Sequence, residues 1–234
     1  VNEFRFGVVV FPGSSCEQDV VYAIRYLGYQ AEYVMYQETE LAAYDAIILP
    51  GGFAYGNYLR PGALAGPSPI MAAVKEYAVA GMPVLGIGNG FQVLTEAGLL
   101  PGVLLPNREL AFISGMVSLR VEQSVCQWLD FGPGTVLDMP IGHYYGNYYC
   151  DQLTLGRMEA KGQIAMRYAL PEGSTPPEGA AANGSLDDIA AICNERGNVF
   201  GLMPHPEQIV DGIISEDGEA FFSTIVKRLE DING

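Results

Sequence analysis

The chain is short of charge, of histidine and of long apolar runs. Its 234 residues hold 12 Lys and Arg against 27 Asp and Glu, only 17% charged residues, and 2 histidines. The surplus of 15 negative charges repels nucleic-acid phosphates and anionic lipid, which argues against both as partners. Apolar runs such as Val8-Val9-Val10-Phe11 and Ala46-Ile47-Ile48-Leu49 are far below the ~20 residues of a membrane span. Val1 to Arg5 carry an acid and a base, and no signal-peptide core follows them. The 4 cysteines, Cys16, Cys126, Cys150 and Cys193, lie far apart without CxxC pairing, the pattern of neither a disulfide framework nor a zinc site. Apolar residues at 49%, with so little charge, exclude a disordered or acidic-tail protein. These features predict a soluble, reduced, cytoplasmic chain forming one domain over residues 1–234, with no cofactor.

The first hundred residues alternate strand and helix signals. Phe6 to Phe11 reads as a strand buried on both faces, broken by Pro12-Gly13-Ser14. Ser15 and Gln18 suggest a capping box, followed by Val20, Ile24 and Leu27 at helical spacing and Gly28 as a stop. Strands are expected at 32–36, 45–49 and 84–87, with helices opening at Ser68-Pro69 and at about Asn89 and stopping at Gly81 and Gly98. Such alternation predicts an α/β, doubly wound, mostly parallel sheet whose ligands gather at the carboxyl ends of the strands. Gly-rich turns fall at three of those ends: 12–13, 50–52 and 86–90. The second half changes character. Short strands near 116–122, 135–139, 163–168, 188–193 and 198–203 suggest a mixed or antiparallel extension. The loop from Pro171 to Ser185 reads as surface and mobile. A last helix is expected over 219–230, with Phe222, Ile225 and Leu229 on one face.

Three stretches bear on chemistry. In Gly86-Ile87-Gly88-Asn89-Gly90 a buried strand feeds a tight turn and then a helix. This reads either as a nucleophile elbow, with helix N–H groups behind it for an oxyanion, or as a sharp turn without chemistry. A dinucleotide fingerprint fails at Phe91, where it needs glycine. In Pro204-His205-Pro206-Glu207 the prolines stiffen the backbone, and the acid lies close enough to orient the imidazole, although a lone His is more often structural. Pro50-Gly51-Gly52-Phe53 reads either as a source of backbone N–H donors or as an ordinary turn. His143, among Gly and Tyr residues, suggests packing or partner contact more than ligand binding.

Together these pieces resemble the glutaminase subunits of phosphoribosylformylglycinamidine synthase (the PurQ family), which are class I glutamine amidotransferases. The resemblance runs nearly end to end. It rests on Gly7 to Ser14, Leu49 to Gly56, Asn89-Gly90-Phe91-Gln92, Glu96 to Gly102, Gly146 to Tyr149, Asn183-Gly184-Ser185, Cys193 to Gly197 and Pro204 to Glu207. It implies the flavodoxin-like amidotransferase fold. It also implies a Cys at the elbow that attacks the glutamine amide, with His205 and Glu207 as base and orienter. Oxyanion or substrate contacts would come from Gly51, Gly52, Phe53, Asn89 and Gln92. The implied partner is a PurL-like synthetase, with room for a small bridging subunit, and glutamine is the ligand if the cleft still binds it.

The chain departs from that pattern at the centre. Position 88, where the resemblance implies Cys, is Gly, which has no thiolate. A family arginine is missing in Ser114-Gly115-Met116-Val117, and the family's Gly-Asp-Tyr, His-Gly-Glu-Gly and His-Pro-Glu-Arg are changed at Asn57, at Tyr144 and Tyr145, and at Gln208. The expectation is a PurQ-like subunit without normal glutaminase activity. The alternatives are an ordinary glutaminase carrying an inactivating change at 88, or a small-molecule binding or other catalytic protein reusing the cleft. Cys16 is expected near the elbow, but the family carries a Cys there as well as its nucleophile, which argues against relocation of the attacking thiol.

Overall fold

The computed structural model describes residues 4–170 and 181–233, with side chains to residue 228. In chain order the elements are β1 (Arg5–Val10), α1 (Glu17–Tyr26), β2 (Gln30–Met35), β3 (Ala46–Leu49), α2 (Pro69–Val79), β4 (Val84–Ile87), α3 (Asn89–Glu96), β5 (Val103–Leu105), β6 (Ile113–Val121), β7 (Val136–His143), β8 (Asn147–Tyr149), α4 (Gln152–Ala160), β9 (Ile164–Ala169), β10 (Ile189–Cys193), β11 (Val199–Leu202) and α5 (Asp217–Asn233).

Nine strands form one sheet in the order β2-β1-β3-β4-β11-β10-β9-β6-β7, and β5 pairs with β8 apart from it. The first five of that order are parallel neighbours. Counted along the chain they run 2-1-3-4-5, the flavodoxin-like order. The remaining four are antiparallel, which supplies the expected extension. Apolar runs that look featureless in the sequence are strands covered on both sides: Val8, Val9, Ile47, Ile48, Val84 and Leu85 are all fully buried. One face packs on α1 and α5 through Val20, Ile24, Phe221, Phe222 and Ile225. The other packs on α2 and α3 through Ile70, Val74, Phe91 and Leu94. Each such aliphatic or aromatic side chain contributes about 1.5–3 kcal/mol of burial. No helix among the described residues is long and apolar enough to cross a membrane.

Several expectations need correction. The N-cap of α1 is Cys16, not Ser15, and no side chain caps it. Ser15 is instead held by its N–H on the Gly51 carbonyl at 3.4 Å, so the chain enters α1 one residue later. Ser68 does precede α2, with Pro69 at its first turn, but its hydroxyl donates backwards to Ala65. Residues 181–185 are not a surface loop: Ala181, Asn183 and Ser185 are buried. Residues 171–180 of that loop, and the Leu229 side chain, lie outside what is described. Gly28, Gly81 and Gly98 end their helices at positive φ as expected.

Candidate active site

The parallel order places the carboxyl ends of β1, β3, β4 and β11 side by side, and the turns leaving them form one cleft. Its volume is about 490 Å³. The β1 turn brings Cys16, the β3 turn Gly52 and Phe53, the β4 turn Gly88 and Asn89, and the β11 turn Met203 and His205. Phe112, Tyr144 and Tyr145 close it from the antiparallel side, and no Lys, Arg, Asp or Glu lines it among the described residues.

Gly88 is the N-cap of α3, with φ +52° and ψ −107°. An L side chain rarely adopts this conformation, and it is the strained backbone that an elbow requires. A Cβ placed there would lie 2.8 Å from Cε1 and 2.9 Å from Nε2 of His205. Position 88 therefore points at the imidazole. Behind it, the first N–H groups of α3 stand outside the helix ladder, the usual source of donors for a developing oxyanion. The helix can sit this close because Gly90 lacks a side chain, and a Cβ there would meet the Leu49 carbonyl oxygen at 2.0 Å.

His205 and Glu207 meet as their spacing suggests. Nδ1 of the imidazole donates to Oε1 of Glu207 at 2.7 Å, and the two residues are 5% and 2% exposed. The His205 backbone N–H donates to the Pro140 carbonyl at 2.8 Å, which fixes the ring's approach. Burial opposes charge on the imidazole. The Glu207 carboxylate and hydrogen bonds with Cys16 and Glu207 outweigh that and push its pKa up to about 10. At neutral pH the ring is an imidazolium, ready to pair with an anion but carrying no free lone pair for a proton.

The structure gives the other site residues more varied parts. The Gly51 carbonyl accepts from the N–H groups of Ser15 and Cys16. The Phe53 N–H is committed to the Gly13 carbonyl at 2.9 Å, so it does not point into the cleft as a free donor. Asn89 and Gln92 join the walls. The Asn89 amide accepts from the Ala54 N–H and donates to Asn57 and to Gln92 Oε1, while Gln92 Nε2 donates to the Tyr145 carbonyl at 2.6 Å. Asn57 sits in a loop where Tyr55, Asn57 and Leu59 all have positive φ, a strain this network holds in place.

His143 closes β7 and is buried. Its Nε2 lies 3.2 Å from Nδ2 of Asn183, which also donates to the Gly146 carbonyl. Burial first, and then the charge on His205, lower its pKa to about 4, so it is neutral where His205 is charged. Sequence reasoning missed Asn183 as a support of this wall. Its signal, an Asn-Gly-Ser triplet, lies some 40 residues from the histidine it holds.

An elbow bending into a helix, with an imidazole–carboxylate pair facing it on a flavodoxin-like sheet, is the layout of a nucleophilic acyl-transfer site, here with glycine at the tip. Comparison with known proteins agrees. Residues 3–220 match the CobB/CobQ-like glutamine amidotransferase domain family. Subunit PurQ of phosphoribosylformylglycinamidine synthase from Thermosynechococcus vestitus is 53% identical over 89% of this chain and 87% of its own. The protein of the same description from Thermomicrobium roseum is 52% identical over 91% of each. Among solved structures, a chain of the PurLQS complex from Thermotoga maritima superposes with a TM-score of 0.85 at 39% identity, covering 97% of this chain and 100% of that one. This chain belongs to the glutamine amidotransferase family, and within it to the PurQ subunits.

Proposed function

We propose that this chain is a PurQ-type subunit without normal glutaminase activity, serving as the cytoplasmic partner of a PurL-type synthetase in a formylglycinamidine ribonucleotide synthase-type complex. Membership of the PurQ group, with nearly full coverage of relatives named as synthase subunits, supports the partnership. The observation that carries the loss of activity is the bare elbow. Position 88 aims at His205 Nε2, and nothing there can attack an amide. A charged His205 cannot activate water in the missing thiol's place. Loss of one triad member leaves roughly 10³–10⁴ over the uncatalysed rate from oxyanion donors and binding alone. The cleft also has no Lys or Arg among its described lining residues to receive the carboxylate of an amino acid, and its one cation, His205, is already paired with Glu207.

Incubation of the purified chain with glutamine, alone and with its synthetase, tests this. Glutamate is expected at the background rate in both. Turnover typical of a cysteine glutaminase would overturn the reading. Gly88→Cys then separates a one-residue lesion from a wider one: restored ammonia production places the whole defect at 88, while a variant that still fails to bind glutamine places it also in the lining.

A further inference from the structure

We propose that Cys16, His205 and Glu207 together hold a thiophilic divalent cation of the zinc class at the floor of the cleft. A thiol sulfur, an imidazole nitrogen and a carboxylate oxygen from these residues lie within 4.8 Å of one another. Tetrahedral zinc, with bonds of about 2.0–2.3 Å, spaces its ligands by about 3.3–3.7 Å. The sulfur of Cys16 closes by up to an ångström or so, while Nδ1 of His205 and Oε1 of Glu207, 2.7 Å apart, open to admit the ion, which takes the place of the Nδ1 proton between them and releases it together with the thiol proton. Cysteine spacing gave no hint of such a site, because its donors come from residues 16, 205 and 207, brought together by the turns that follow β1 and β11.

Three further observations favour a cation there. Oε2 of Glu207 is buried without a hydrogen-bond partner, although Oε1 is paired with His205. A buried carboxylate oxygen left unserved is unfavourable, and a metal bond would serve it. The surroundings are also rich in negative groups. Asp19 on α1 is near enough to feel the charge of Glu207, and no Lys or Arg lines the cleft among its described residues. Finally, Cys16 is the one cysteine of the four that is only half-buried, and it lines the cavity. A mixed sulfur, nitrogen and oxygen set selects zinc-like metals over magnesium or calcium, which take oxygen alone.

Cobalt(II) is the probe. Titrated into the reduced, metal-stripped full chain, it should bind one equivalent and give a thiolate-to-cobalt charge-transfer band that zinc(II) displaces. Cys16→Ser should abolish the band. Glu207→Gln should weaken zinc binding by at least the roughly tenfold that even an outer partner of a metal ligand is worth. No charge-transfer band, or a band that survives Cys16→Ser in a chain shown to be folded by circular dichroism, overturns the proposal.

Discussion

The α-carbon of Gly88 faces the imidazole of His205 so closely that a Cβ would come within 2.9 Å of Nε2. A side chain at 88 needs the ring a few tenths of an ångström farther from the elbow. Gly88→Cys must move it back and adopt φ near +52°. We expect a loss of about 1–3 kcal/mol, read as a lower melting temperature, with Gly88→Ala losing a similar amount. Only the Cys variant should gain a second alkylation site in the cleft, seen by mass spectrometry after iodoacetamide treatment.

Glu207→Gln removes the anion that holds His205 charged. The imidazole pKa is raised from 6.5 to about 10, so the stability this pair contributes is fully present below pH 6.5 and lost as pH rises toward 10. The variant should cost about 3–5 kcal/mol near pH 6 and progressively less above neutrality. Denaturant melts across that range measure it.

His143 has the opposite sign. Its pKa falls from 6.5 to about 4, so the unfolded chain takes up a proton first. Stability contributed by the neutral ring is lost as pH falls from 6.5 toward 4, by up to roughly 3 kcal/mol. In His143→Gln the acid-side slope should flatten, and proton resonances of the wild-type ring should show no titration near pH 6.5.

Asn89→Ala should strand the Ala54 N–H and Gln92 Oε1 in a buried place. A loss of about 2–3 kcal/mol is expected. Faster amide exchange across the 54–59 loop would mark the wall that loosens.

Gly90→Ala should be the least tolerated change at the cleft. The added methyl meets backbone at 2.0 Å, and no rotamer relieves that. The expected outcome is a loss beyond 4 kcal/mol or failure to accumulate folded protein, assayed by soluble yield and circular dichroism.

The parallel half of the fold was legible because its apolar runs, Gly stops and turns all obey local rules. β4 matches its expected bounds, and β1 and β3 differ by about one residue at their ends. What escaped was whatever depends on distant partners. Helix α4 has Gly156 in its interior and buries only Met158, so its apolar stripe is nearly absent, although Asp151 caps it by accepting from the Thr154 N–H. Strands β5 and β8 are three residues long and gain meaning only from each other. The false capping box at Ser15 failed because the Gly51 carbonyl claimed that N–H first. At the site, the elbow and the His205–Glu207 pair could be read from spacing. The commitment of the Phe53 N–H to Gly13 could not, since it depends on a bridge between Ser14 and Gly52 across two turns.

The sheet order has one more consequence. The tips that follow β1, β3, β4 and β11 all hang from strands paired on both sides, and none relies on the reacting atom for its position. Shape and reactivity are thus held by separate residues. A single codon can silence the chemistry while leaving the outer contour of the molecule, and whatever docks against that contour, untouched.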